Sequence, residues 1–246
     1  MTFPGAWTRI RIFSTPRAVG QALGRNLARA ISVRPSLVLG LPTGHTPIPL
    51  YRELIALHCS GVTTFNLDEF LGLPARDPRS YRAFMQRELF DHINIAASQV
   101  HFLDGVAADV DGECRRYDRA IARAGGIDLQ ILGLGTNGHI GFNEPAPALV
   151  AQTHRTRLRP ATRRANAAWF GGRLRDVPRE ALSMGMATIL RTRRIVLIAT
   201  GASKAATVAR MVRGPVTPRL PASFLQLHRH AEVWLDRAAA ERLKDC

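Results

Sequence analysis

Lysine is nearly absent from this chain. Of its 34 lysines and arginines, only Lys204 and Lys244 are lysine. The arginines are scattered among acids along the whole length, and no sustained basic run has aromatic residues interleaved. The net charge of +15 and the pI near 11.4 therefore read as a compositional drift toward arginine. A solvated basic surface is the expectation, and specific nucleic-acid recognition is not. Cysteine is scarce as well. Cys59, Cys114 and Cys246 are odd in number and share no metal-ligand spacing, which speaks against a disulfide framework or a cysteine-based metal centre. No apolar run reaches the ~20 residues that span a bilayer. The first ten residues lack the basic, apolar, small-residue order of a signal peptide. A cytoplasmic protein with no metal, cofactor or membrane partner is expected.

The scarcity of lysine gives Lys204 a meaning. Where arginine is used almost everywhere, a lysine in a glycine-rich turn marks a place for a compact ammonium group.

What is present is ordinary for a folded core: 46% hydrophobic and 22% charged residues. Short β-branched or leucine-rich runs alternate with helical periodicity, the pattern of a parallel sheet covered by helices. Strands are expected at residues 36–41, 62–67, 100–103, 128–133, 194–200 and 232–235. Helices are expected at 16–31, 48–58, 80–92, 107–124 and 204–212. The fold class is α/β: an open, mostly parallel, Rossmann-like sheet flanked by helices on both faces, with residues 1–246 as a single domain. In such sheets ligands bind at the carboxyl ends of the strands. Four chemistry-bearing segments fall at those ends.

The first is Gly40-Leu-Pro-Thr-Gly-His-Thr-Pro, between a strand and a helix. Its free backbone N–H groups and the hydroxyls of Thr43 and Thr46 suit an anion, with Gly44 and His45 in the same turn. It lacks the Gly-Lys-Ser/Thr ending of a nucleotide P-loop. An ordinary strand–helix turn is the equal alternative. The second is Phe65-Asn-Leu-Asp-Glu-Phe. Side chains alternate along a strand, so Asp68 and Glu69 cannot both face one crevice. One suits a general base, and the other a structural hold on a loop.

The third is Gly133-Leu-Gly-Thr-Asn-Gly-His-Ile-Gly-Phe-Asn-Glu-Pro. Its opening matches a dinucleotide fingerprint, but no long helix follows and the region beyond is basic, so a dinucleotide is excluded. What remains is a glycine-rich loop presenting His139 and Glu144 together, with Asn137 close by. A histidine oriented by a carboxylate is a proton-transfer device. The fourth is Thr200-Gly-Ala-Ser-Lys-Ala, where Lys204 opens a helix. Positive charge is mildly unfavourable there, which points to an anion.

With these segments in order, the chain resembles the glucosamine-6-phosphate deaminase (isomerase) family, which shares its fold with the 6-phosphogluconolactonases. The resemblance also runs through Asn66-Leu-Asp-Glu-Phe-Leu-Gly-Leu-Pro, Ser80-Tyr-Arg-Ala-Phe-Met, Val177-Pro-Arg-Glu-Ala-Leu and Leu225-Gln-Leu-His. The string Gly138-His-Ile-Gly-Phe-Asn-Glu-Pro is its most specific part, and its Phe-Asn-Glu-Pro ending favours the deaminase branch. The resemblance implies isomerisation of an amino sugar phosphate with loss of ammonia. It implies Asp68 as the C2 base, and His139 with Glu144 as the ring-opening pair. Asn137 would position His139, while the turn of Thr43, Gly44, His45 and Thr46 with Lys204 would hold the phosphate. A galactosamine 6-phosphate deaminase, a 6-phosphogluconolactonase and a non-catalytic sugar-phosphate sensor are the alternatives, and a homo-oligomer is left open.

This chain departs from the family pattern in four places. Asn137 stands where aspartate is frequent, and His45 where serine or glycine is usual. Ala168 occupies the position of a phosphate-clamping arginine, for which Arg163, Arg164 and Arg173 are the nearby substitutes. The features of an allosteric site in some relatives are not evident after Pro145, so a non-allosteric enzyme is expected.

Overall fold

A computed structural model of the protein describes residues 9–243. The chain runs β1 (Arg9–Phe13), α1 (Pro16–Val33), β2 (Val38–Leu41), α2 (Ile48–Leu54), β3 (Thr63–Asn66) and β4 (Asp68–Phe70). Next come α3 (Tyr81–Glu88), β5 (Val100–His101), α4 (Val110–Arg123), β6 (Leu129–Gly133), β7 (His154–Arg157) and α5 (Pro160–Asn166). The remainder is β8 (Glu180–Ser183), α6 (Met186–Leu190), β9 (Arg194–Ala199), α7 (Ala205–Arg213) and β10 (Ala231–Asp236).

Seven strands form a parallel sheet in the order β1-β10-β9-β6-β2-β3-β5. Alternation along each strand divides its apolar residues between two cores. On β9, Ile195 and Leu197 join the core under α4 and α7, while Val196 and Ile198 join the one under α1, α2 and α3. Helices thus cover both faces, the expected α/β architecture. Each fully buried aliphatic side chain contributes about 1.5–3 kcal/mol. Helix α1 shows why such segments are helical: Val19, Leu23, Leu27 and Ile31 fall on one stripe, and the Thr15 hydroxyl accepts the Ala18 N–H at 3.1 Å.

The strand order reverses between β2 and β6: β3 and β5 follow on one side of this pair, and β9, β10 and β1 on the other. Loops leaving adjacent strands in opposite directions open a crevice at that switch point. The first and third motifs are these two loops.

The structure shortens several expected elements. The third predicted helix divides into α3 and a 3-10 turn at Phe90–His92, and the fourth starts at Val110 because Asp109 caps it. Lys204 closes a 3-10 turn instead of opening α7. A second sheet was not expected. It is antiparallel, three-stranded and ordered β4-β8-β7. The sequence of β7, His-Arg-Thr-Arg, has no apolar face to signal a strand, and β1 alternates arginine with isoleucine at the sheet edge.

Candidate active site

Asp68 stands where the chain leaves one sheet for the other. Leu67 donates its N–H to Leu41 O at 3.2 Å, beside the parallel sheet, and accepts from Met184 N at 2.8 Å, beside the antiparallel one. The next residue begins β4. Asp68 is 6% exposed, and none of the described residues donates a hydrogen bond to its carboxyl group. Burial, and then the neighbouring Glu69, hold it well above the usual carboxylate range. Glu69 points away from Asp68, as alternation requires, and accepts the N–H groups of Phe70, Tyr81 and Arg82.

The loop after β6 carries the histidine. His139 lies over Gly135, whose absent side chain makes room for the ring: a Cβ there would stand 2.4–2.5 Å from the imidazole. The His139 N–H donates to Asn137 Oδ1 at 3.1 Å, and Asn137 Nδ2 donates to Glu144 Oε2 at 2.8 Å. Glu144 Oε1 accepts the Arg159 N–H at 3.0 Å. His139 Nδ1 lies 3.7 Å from Glu144 Oε2 and 3.4 Å from Thr162 Oγ1. Asn137 thus braces the loop from both ends, holding the carboxylate beside the ring. Burial lowers the His139 pKa, Glu144 opposes that shift and Lys204 adds to it. The ring is therefore neutral at neutral pH, able to accept a proton.

Gly141 brings this loop to Asp68. With φ +54° it takes a left-handed turn, and a Cβ there would stand 2.9 Å from Ser183 Oγ and 3.7 Å from Asp68 Oδ2.

A cavity of about 280 Å³ joins Asp68 and His139 to Thr43, Gly44, His45, Thr46 and Lys204. Seven of the nine expected site residues line it, while Asn137 and Glu144 stand behind His139. Lys204 is placed by the loop after β9, where Asp236 accepts the Gly201 N–H at 3.0 Å. Burial lowers its pKa. A larger cavity, about 650 Å³, opens on the other side of Glu144 and holds none of the other expected site residues. Among the described residues, no group of three or more His, Cys, Asp or Glu side chains could hold a metal ion. No helix among them is long and apolar enough to cross a membrane.

Four further polar groups line the cavity without having been named as candidate site residues: Thr136 in the His139 loop, and Tyr81, Thr162 and Asn166. Tyr81 starts α3, and Thr162 and Asn166 lie on α5. Nothing in their local sequence says that these helices meet the strand ends. The three arginines near Ala168 do not line the cavity. Arg163 donates to Leu174 O and Val177 O, Arg173 pairs with Asp176, and Arg164 faces a different cavity. Among the described cavity residues, Lys204 is the one lysine or arginine.

The sequence profile of the family described as glucosamine-6-phosphate isomerases/6-phosphogluconolactonase matches residues 14–234. The chain belongs to this family. Among its relatives, a glucosamine-6-phosphate deaminase of Halothermothrix orenii is 44% identical over 96% of this chain and all of its own length. One of Pseudarthrobacter chlorophenolicus is 44% identical, covering 95% of this chain and 92% of the relative. The solved structure of a monomeric glucosamine-6-phosphate deaminase superposes with a TM-score of 0.92 at 40% identity, covering 96% of this chain and 100% of that one. The 6-phosphogluconolactonase from Trypanosoma cruzi superposes over the whole of both chains with a TM-score of 0.80. At 20% identity, that is a likeness of fold alone.

Proposed function

We propose that this protein is a glucosamine-6-phosphate deaminase, converting glucosamine 6-phosphate and water into fructose 6-phosphate and ammonia. The observation that carries the reading is a single cavity uniting a buried base, a braced histidine and a cationic, hydroxyl-rich turn. We read residues 1–246 as one domain with these roles.

The phosphate sits on the turn of Thr43, Gly44, His45 and Thr46, with Lys204 as counter-charge. Neutral His139 takes the proton of the anomeric hydroxyl, and the pyranose ring opens as the imidazolium delivers that proton to the ring oxygen. Glu144 stabilises the imidazolium that forms, and Asn137 keeps the carboxylate in place. Asp68 removes the C2 proton of the open-chain amino aldehyde. An enolamine forms as the aldehyde oxygen gains the proton that the substrate's ammonium group loses, and Asp68 returns the C2 proton at C1. Water hydrolyses the resulting C2 imine, releasing ammonia and leaving the ketose. The buried setting of Asp68 suits this work, because a carboxylate with a raised pKa is a stronger base toward the C2 proton. A sensor of sugar phosphates would need the phosphate turn but neither Asp68 nor the His139–Glu144 pair.

Ammonia release tests the assignment. Purified protein should liberate ammonia from glucosamine 6-phosphate in preference to galactosamine 6-phosphate. Absence of ammonia from both sugars, with hydrolysis of 6-phosphogluconolactone, would replace the deaminase reading with the lactonase one.

A further inference from the structure

We propose that Glu69 is a positioning residue for this reaction: from the back of β4 it anchors the first turn of α3, and so sets Tyr81 against Asp68. The inference rests on the deaminase reading for its kinetic consequences and on geometry alone for the anchoring.

Glu69 is 2% exposed, and both of its oxygens accept from backbone. Oε1 accepts from Phe70 N at 2.8 Å and Tyr81 N at 2.9 Å, and Oε2 accepts from Arg82 N at 2.9 Å. The first N–H groups of a helix have no partners within it. Ser80, the N-cap, satisfies only the Ala83 N–H, at 3.0 Å. The acceptor for the two preceding groups comes from another element, immediately after Asp68 in the chain.

What is anchored is the helix end that carries Tyr81. Its ring packs on Phe70 at 4.6 Å and stacks on Phe142, of the His139 loop, at 5.7 Å between centroids. Its hydroxyl lies 3.4 Å from Asn166 Oδ1. Tyr81 therefore touches three of the cavity's walls, and Glu69 sets its backbone.

The second role is electrostatic. Glu69 and Asp68 are adjacent buried carboxyls, and Glu69 helps raise the Asp68 pKa. The groups facing Glu69 are Arg82 on α3 and, across a rear cavity of about 540 Å³, His101, Asp104, Glu113 and Arg116. Burial raises Glu69 itself to about 7, with the three N–H groups and Arg82 opposing the rise.

Glu69→Gln keeps the shape but puts an amide donor against backbone donors. In hydrogen–deuterium exchange, the amides of Tyr81 and Arg82 should exchange faster than in the wild type. The kcat for ammonia release should fall roughly tenfold or more, with a smaller change in KM. The acid limb of kcat/KM should move to lower pH, because Asp68 loses a like-charged neighbour. Ser80→Ala, which weakens the same helix start without touching the charge, should leave that limb in place. A Glu69→Gln enzyme with wild-type kcat and an unmoved acid limb overturns the inference, as does unchanged exchange at residues 81 and 82. Should Glu69→Gln not fold, Glu69→Asp carries the test: lowered kcat with the acid limb in place supports it, and wild-type kcat overturns it. Lack of ammonia from the wild type would sink the deaminase reading instead, and exchange at residues 81 and 82 would still decide the anchoring.

Discussion

The parallel and antiparallel sheets meet at Leu67, and they contribute differently to the site. The central strands of the parallel sheet, β2, β6, β9 and β10, are mostly apolar and buried, and the loops after β2, β6 and β9 supply Thr43–Thr46, His139 and Lys204. The antiparallel sheet is small and carries the His-Arg-Thr-Arg strand, yet it holds Asp68 and Glu69. A base on a loop would be placed by a few local contacts. On β4 it is placed by pairing with Ser183 and Leu182 of β8, and by Leu67 bonding toward both sheets. On the proposed reading, the larger sheet presents the binding groups, and the smaller one fixes the proton-transfer group among them.

The sharpest test of that division is Asp68→Asn. Removing the base should lower kcat by about 10³-fold, within the usual span for a general base. The same variant should be more stable at neutral pH, read as a raised melting temperature. The sign follows from the proton count. The unfolded chain ionises Asp68 at an ordinary carboxylate pH, while the folded protein keeps the proton to higher pH. Between those values the native state binds more protons, so stability falls as pH rises, and the penalty is complete above the folded pKa. The neutral amide has no such penalty. A melting temperature equal to or below the wild type's would show that Asp68 is not strained by its burial.

On the parallel-sheet side the corresponding change is Gly135→Ala. The new methyl would occupy the space of the His139 ring, so the ring must move and kcat should drop roughly 10²-fold. Substrate affinity should change far less, because the phosphate turn is elsewhere. An unaltered kcat would mean that the imidazole does not act from this position.

A smaller effect is expected from Glu144→Gln, about tenfold in kcat. Glu144 raises the His139 pKa against burial and Lys204, so its loss should let the ring titrate at still lower pH. NMR titration of the imidazole reads this directly, and a shift to higher pH would contradict the pairing.

The mildest pair concerns the two sheets themselves. Leu197→Ala in β9 and Leu182→Ala in β8 each open a cavity at a fully buried site, costing about 3 kcal/mol by denaturant melts. Only Leu182 pairs directly with the strand that bears the base, opposite Glu69. The folded Leu197 variant should therefore retain its kcat, while the Leu182 variant loses several-fold of it. Equal behaviour of the two would erase the proposed division of labour.

Much of this was legible in the sequence. Apolar runs ending in Gly-Leu-Pro-Thr, Asn-Leu-Asp-Glu and Gly-Leu-Gly-Thr marked β2, β3 and β6, and the alternation rule separated Asp68 from Glu69 before any coordinates. Strand-end placement also brought Lys204 toward the phosphate turn. What local pattern could not show was long-range. Tyr81, Thr162 and Asn166 enter the cavity because α3 and α5 pack there, and their own helical sequences look like those of any half-buried helix.

The sequence by itself determined six of the seven parallel strands, five of the seven α-helices and the motifs at the strand ends. Hydrophobic periodicity and turn chemistry are local properties that a chain carries whether folded or not. Only the tertiary structure decided which carboxylate faces the cavity and which caps α3, and that β4 pairs with β8. It also decided that Arg163, Arg164 and Arg173 turn away from the cavity while Lys204 turns in. Those outcomes depend on partners distant in the chain, whose hydrogen bonds and burial exist only once both sheets have formed.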